Sequence, residues 1–401
     1  MDHEPETAGR PAGSVREVAL LFLKLGTIAF GGPVAHIAMM RDEIVRRRRW
    51  LTDQRFVDLI GAVNLIPGPN STELAIHLGW DRARRRGLLA AGICFILPAA
   101  VIVTALAWVY VTYGDTPAFE GILYGVVPVV IGIIVHALTG LLRTVIRSWW
   151  TALLGAGALA AYLLGVNELL ILAAGAALGA ARVVAGPRAR RAGSSLLAPF
   201  LLLPGGQPVL AELAVRVFGP SPTATGGAVL WPLFLTMLKI GSVLYGSGYV
   251  LLAFLRGDFV ERLHWITETQ LLDAVSIGQI TPGPVFTTAT FIGYLVAGLP
   301  GAFVATVAIF IPSFLLVGLL TRITHRLRSS AWTAALLDGV NAAALALMAG
   351  VTLQLGRTAI VDPLTAGLAV GTLLVLWRTR LNNAWLIGAG ALVGLGHIFL
   401  T

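Results

Sequence analysis

Charge is what this sequence has least of. Of its 401 residues only 12% are Asp, Glu, Lys or Arg, about half the usual quarter. With 57% apolar residues beside that, it cannot be a disordered chain, which needs the opposite balance, and it lacks the polar coat of a soluble enzyme. Lysine is almost missing: Lys24 and Lys239 are the only two, and the other basic residues are arginines. The single cysteine, Cys94, can form no intrachain disulfide and belongs to no metal-ligand pattern. A secretory leader is not expected either, because Asp2, Glu4, Glu6 and Glu17 occupy the place of a basic n-region.

Long apolar runs fill the remainder. A membrane-crossing helix needs about 20 mostly apolar residues, and candidate spans lie at 16–40, 87–111, 119–142, 149–166, 167–183, 231–255, 300–321, 332–356, 361–377 and 384–400. The Gly-, Pro-, Ser- and Arg-rich stretch 184–230 reads as a linker. The chain thus divides into a tail (1–15), a first transporter repeat (16–183), the linker (184–230) and a second repeat (231–401). The net charge is +9, carried by arginine clusters between apolar runs. That is the positive-inside pattern of a membrane protein, not a nucleic-acid footprint.

Two segments fit no simple span. Segment 55–80 contains Pro67-Gly68-Pro69, and 269–297 contains Pro282-Gly283-Pro284. Paired prolines remove donors and clash with the preceding turn, so each segment is two half-helices joined at a break.

The same motif twice points to duplication. A shift of 215 residues places Lys24 on Lys239, Gly26 on Gly241, Arg41 on Arg256, Trp50 on Trp265, Asp58 on Asp273, and one Pro-Gly-Pro on the other. Between 20 and 69 no gap is needed and 15 of 50 positions are identical; after one deletion Gly79 meets Gly293 and Pro98 meets Pro312. Internal duplication is characteristic of secondary-transporter folds, with substrate at the repeat interface. Arg46–Arg49 precede the first break and Arg82, Arg84, Arg85 and Arg86 follow it. Both clusters stay inside only if 55–80 is re-entrant. The expectation is an all-α polytopic membrane protein of two inverted-topology repeats, each with about five spanning helices and one re-entrant broken hairpin. On that scheme the loops proposed as cytoplasmic hold 21 arginines against 5 outside, and the N-terminus falls outside.

Several stretches resemble the chromate ion transporter family in its long, two-domain form. They are Phe30-Gly31-Gly32-Pro33-Val34-Ala35-His36-Ile37, Arg41…Trp50-Leu51, and the run from Asn64 through Pro67-Gly68-Pro69-Asn70-Ser71-Thr72-Glu73 to His77 and Gly79; Gly278-Gln279-Ile280-Thr281-Pro282-Gly283-Pro284 is similar to that family's second-half motif. The likeness runs from about 18 to 400. It implies a chromate efflux protein of a prokaryotic inner membrane, energised by the membrane gradient, with sulfate as the look-alike competitor. The second half departs from it: Tyr245-Gly246-Ser247-Gly248 stands opposite Phe30-Gly31-Gly32-Pro33, and nothing matches His36.

The residues themselves suggest an anion site. After Pro69 a half-helix begins with N–H groups that lack internal partners, and its dipole favours an anion. Asn70, Ser71 and Thr72 are there, with Asn70 and Glu73 spaced as a capping pair; Thr287 and Thr288 occupy the second start. Asn64 and Gln279 precede the breaks and can bond a ligand or only the unwound backbone. Gly31, Gly32 and Pro33 count with the Pro-Gly-Pro motifs as helix breaks. Lys24 and Lys239 lie eight residues into their spans, roughly 12 Å deep, where a lone ammonium marks a pathway or a pair. Either it balances a dianion, or it snorkels or pairs with Asp58 or Asp273. Glu73, His77 and His36 are candidates for proton transfer and gating, because neutralising a buried carboxylate is cheaper than keeping it charged; packing is the plain alternative for both histidines. Two ligands are too few for zinc, so no metal and no cofactor is expected, nor an enzyme. The expected partners are a chromate- or sulfate-like oxyanion and the bilayer, with no nucleic acid and with a homodimer left open.

Overall fold

The computed structural model describes residues 14–30, 32–64, 66–185, 229–245, 250–327, 331–379 and 381–400. The linker and Gly31 therefore lie wholly or mostly outside the described residues. Every described element is helical. The first half comprises α1 (Val15–Ile28), α2 (Gly32–Arg41), which runs into a π-helical turn at Asp42–Arg47, α3 (Asp53–Val63), α4 (Asn70–Tyr113), α5 (Pro117–Val145), α6 (Trp149–Leu163) and α7 (Glu168–Ala185). The second comprises α8 (Leu230–Val243), α9 (Leu251–Leu255) with a π-helical turn at Arg256–Arg262, α10 (Glu268–Ile280), α11 (Thr288–Leu327), α12 (Ala331–Ala359), α13 (Pro363–Arg378) and α14 (Asn383–Leu400).

Among the described residues, four helical stretches are long and apolar enough to cross a membrane: Asn70–Tyr113, Pro117–Val145, Val285–Leu319 and Ala334–Ala359. Shorter apolar helices, among them α6, α13 and α14, accompany them. Leu89, Ile93, Leu97, Val101 and Trp108 of α4 point outward, as a lipid-facing surface requires. The chain is an all-α polytopic membrane protein.

α4 is not one rod. Ala83 (φ −141°, ψ 27°) and Arg84 (φ 53°, ψ −141°) leave helical geometry, and the chain folds back on itself. A Cβ on Gly79 would stand 2.3 Å from the carbonyl oxygen of Gly87, although eight helical residues would separate the two by about 12 Å. α11 repeats the device at Ala297 (φ −148°, ψ 28°) and Gly298 (φ 60°, ψ −149°), with Gly293 pressed on Gly301. The duplication thus extends to the backbone: Arg49 and His264 also share a left-handed turn, at φ 51° and 52°.

The break at 64–69 turns a hairpin. Arg55 at the start of α3 reaches Asp81 at the end of the first arm of α4 (3.5 Å), so both ends of 55–80 lie at one end of the bundle. Span 16–40 is a correction: it is interrupted between Ile28 and Gly32, where Gly32 takes φ 75° and Pro33 sits in the first turn of α2, the place a helix tolerates it. Glu17 at the start of α1 meets Arg48 (3.6 Å) and Arg82 (3.0 Å), so α1 begins at the arginine-rich end and not opposite it. Arg41 grips Asp53 at the same end with two hydrogen bonds, 2.8 and 2.5 Å, and holds that carboxyl below the usual carboxylate range.

The two halves interlock. α13 and α14 pack on α5, while α6 and α7 pack on α12. Both contacts use bare backbone: Gly125 against Gly390, and Gly339 against Gly175, with a virtual Cβ 1.9 and 2.0 Å from the facing carbonyl oxygens. At the centre the Gly68 N–H donates to Leu244 O (2.7 Å) and the Gly283 N–H to Ala29 O (2.9 Å). Each break is therefore tied to the end of the other half's first helix.

Candidate anion site at the first helix break

Pro69 caps α4 without any side-chain capping bond, so the expected Asn70–Glu73 capping pair does not form. The Asn70 side-chain amide instead donates to Asn64 Oδ1 (2.7 Å), closing the break across its mouth. The N–H groups of Thr72 and Glu73 turn back to Pro69 O at 2.8 and 3.0 Å. Those of Asn70 and Ser71 stand ahead of that turn, where a helix has no internal acceptor to offer.

These residues face a cavity of about 1030 Å³. Asn64, Pro69, Asn70 and Ser71 line it together with residues of α5 and α12, including His136 and Asn341; Thr144, Thr379 and Asn383 lie toward the ends of α5, α13 and α14. Neither His136 nor Asn341 was among the sequence candidates. Their signal is an isolated polar residue inside an apolar span.

His36 fixes the break from behind. It is buried, with Nε2 3.0 Å from Ala29 O and Nδ1 3.3 Å from Ser71 Oγ. A neutral imidazole satisfies both by donating from Nε2 and accepting at Nδ1. Phe95 holds the ring edge-on at 5.6 Å.

Glu73 is 0% exposed and neither carboxyl oxygen has a hydrogen-bond partner. It folds back over Gly68, whose φ of 140° and missing Cβ make room: a Cβ there would stand 2.1 Å from Glu73 Oε1 and 2.9 Å from Ser313 Oγ. Ser313, from α11, is equally buried, with its hydroxyl set against the Glu73 carboxyl. His77, one turn on, is buried with neither ring nitrogen hydrogen-bonded, Nδ1 lying 3.7 Å from Asp81. Thr72 Oγ1 is likewise buried without a partner. Such orphaned groups are rare in native folds and call for a role.

The second break differs. Thr287, Thr288 and Thr281 are buried, and their hydroxyls donate to carbonyls of their own turns: Pro284 O (2.8 Å), Val285 O (2.9 Å) and Gly278 O (3.1 Å). Gly283 rests against Ala99, the residue matching Ser313, so no carboxyl–hydroxyl pair exists on this side. Gln279 Nε2 is buried without a partner. Of this break Val285 and Phe286 reach the cavity; Thr287 and Thr288 are not among its lining residues.

The two lysines lie in ion pairs. Lys24 meets Glu43 at 2.7 Å and Lys239 meets Asp258 at 2.5 Å, each partner being in the π-helical turn that follows. Asp58 and Asp273 are not those partners; Asp273 accepts from Tyr110 Oη at 2.8 Å. Lys239 is 16% exposed and Lys24 49%. Among the described residues no group of three His, Cys, Asp or Glu is placed to hold a metal ion.

Broken helices, glycine-tight contacts between the halves and a cavity lined from both are the arrangement expected of a membrane transporter. The sequence model described as "Chromate transporter" matches residues 16–180 and again 231–395, and the chain belongs to that family. It is 34% identical over 398 residues to the chromate transport protein of Cupriavidus metallidurans, covering 96% of this chain and 94% of that protein. It is 33% identical to a probable chromate transport protein of Synechococcus elongatus (96% of each). With the chromate transport protein of Pseudomonas aeruginosa it shares 30% identity, over 96% of this chain and 92% of that one. No solved structure matches.

Proposed function

We propose that this protein is a secondary transporter that exports chromate across the prokaryotic inner membrane and so confers chromate resistance. The observation that carries the reading is the start of α4 at Asn70 and Ser71, set with Asn64 in the wall of a cavity of about 1030 Å³. The family supplies the substrate, since the relatives named above are chromate transport proteins. Sulfate, also a tetrahedral dianion, is the alternative substrate. A homodimer remains compatible with the reading.

Inverted repeats account for the contacts best. α3 begins beside Asp81, where the first arm of α4 ends, whereas α10 begins with Glu268 accepting from Thr358 (3.2 Å), at the end of α12. Tyr124 near the start of α5 donates to Asp362, just past that same end. These ties, with Tyr110–Asp273 and Tyr162–Gln354 (2.8 Å), close one end of the bundle. The cavity reaches toward Thr144 and Thr379, beside Arg143, Arg147 and Arg378. With arginines inside, the conformation is inward-open, loaded from the cytoplasm.

In this scheme Asn70, Ser71 and the Asn64 amide receive the oxyanion, His36 positions Ser71, and Glu73 gates by taking up a proton. Thr72 and His77 lie buried in the same arm of α4. Gln279, Thr287 and Thr288 form the fixed counterpart at the second break. Lys24 and Lys239 supply paired positive charge beside the path. Energetics favour export: one charge crossing 100 mV is worth about 2.3 kcal/mol, so a dianion leaving an inside-negative cell gains roughly twice that.

The test is chromate accumulation in everted vesicles with sulfate in competition. Chromate uptake blocked by excess chromate and only weakly by sulfate is expected. Uptake of sulfate alone would reassign the substrate, and uptake of neither would refute the reading.

A further inference from the structure

The helix start at Asn70 is only one wall of the cavity. The same cavity is lined by His136 on α5 and Asn341 on α12, from opposite halves. His136 lies nine residues before the end of α5 (145 − 136) and Asn341 ten after the start of α12 (341 − 331), or about 14 and 15 Å from those ends. The eleven residues of α3 carry the chain about 16 Å to the break. Each set of groups thus lies about 14–16 Å along its own helix.

His136 Nδ1 is buried and has no hydrogen-bond partner, an expensive arrangement unless something arrives to satisfy it. Among the described lining residues His136 is also the one side chain able to take a positive charge; no lysine or arginine is there. The repeat sets these two residues apart, because neither has a polar counterpart in the other half. With the register of 214 that aligns Gly79 with Gly293, His136 corresponds to Gly350 and Asn341 to Val127. At Gly350 the ring of Tyr162 fills the space, 2.2 Å from a virtual Cβ. The related positions are apolar or sealed; polar side chains appear only where this cavity is open.

We infer that His136 and Asn341 form the second half of the oxyanion site, donating to the face of the dianion turned away from Asn70 and Ser71. The inference rests on the reading that the oxyanion binds in this cavity. A tetrahedral dianion presents acceptors in all directions, and one helix start can serve only one side. An Asn amide donates from its nitrogen, and an imidazole donates from a protonated ring nitrogen and can add charge.

The experiment is equilibrium dialysis of the purified full chain against chromate, with thermal unfolding as the folding control. His136→Ala and Asn341→Val should each weaken binding roughly tenfold or more, the size expected for losing a hydrogen bond to a charged group, with the unfolding midpoint unchanged. His136→Gln keeps a donor without the charge and should fall between wild type and His136→Ala. Should His136→Ala destabilise the fold, His136→Gln and Asn341→Val decide. Wild-type affinity in folded His136→Gln and Asn341→Val, with binding lost in Asn70→Ala, overturns this inference and leaves the cavity reading intact. Chromate and sulfate both failing to bind the wild type would overturn the two together.

Discussion

Single residues carry the asymmetry between the breaks. Gly68 must be glycine twice over, for its φ of 140° and for the Glu73 carboxyl that occupies its Cβ position. Gly68→Ala should abolish transport. The backbone strain alone is on the order of 1–3 kcal/mol, and the added methyl would also push the Glu73 carboxyl out of its place; vesicle uptake at equal protein level reads this out. Arg84 is the reverse case. It holds φ 53°, ψ −141°, a region nearly reserved for glycine, and the second half has Gly298 there. Arg84→Gly should raise the unfolding midpoint, by an amount corresponding to about 1 kcal/mol after the added freedom of the unfolded chain is counted. For Glu73, an ionised carboxylate 4 Å from the substrate would repel it by about 4 kcal/mol per charge at an effective dielectric near 20. Glu73→Gln should therefore keep transporting and lose its pH dependence; a wild-type pH profile in that variant rules out Glu73 as the gate. The motif made Glu73 visible in the sequence. Ser313, His136 and Asn341 were hidden because none belongs to a local pattern: each gains meaning only from what the fold sets opposite it.

At the scale of elements, periodicity and proline placement made most helices legible, and the Pro-Gly-Pro breaks follow from them. The interruption within 16–40 escapes a hydropathy reading of that span, although Gly31, Gly32 and Pro33 mark it as a helix break. The lysines show a similar limit. Their depth was legible, but their partners were not: Glu43 and Asp258 lie 19 residues on, in π-helical turns that sequence does not announce. The pair Lys239–Asp258, at 16% and 8% side-chain exposure, gives the cleaner test. Arg262 also holds Asp258, at 3.0 Å, so Lys239→Gln leaves that carboxylate one partner and should cost less than the roughly 3–5 kcal/mol of a fully stranded buried charge. If the lysine serves only its partner, Lys239→Gln with Asp258→Asn recovers both fold and transport; if it also serves the anion, the double variant folds but does not transport.

For the whole molecule, the inverted arrangement predicts opposite exposure of matched loops. With Cys94 replaced, a cysteine at position 261 should react with an impermeant reagent from outside and one at 84 should not. Labelling of both from one side would refute the inversion. The interlock of α5 with α13 and α14 adds a consequence in time. α5 is complete at residue 145 and its glycine-faced partner α14 only at 400, 255 residues later (400 − 145). At about 5–20 residues per second that is roughly 13–50 s of synthesis. For that interval the nascent first half sits in the bilayer with the bare backbone at Gly125 uncovered. The ribosome's product therefore needs a holding partner or a lipid-tolerant intermediate until its last two helices emerge, and a chain stalled before α13 should be a substrate for membrane proteolysis.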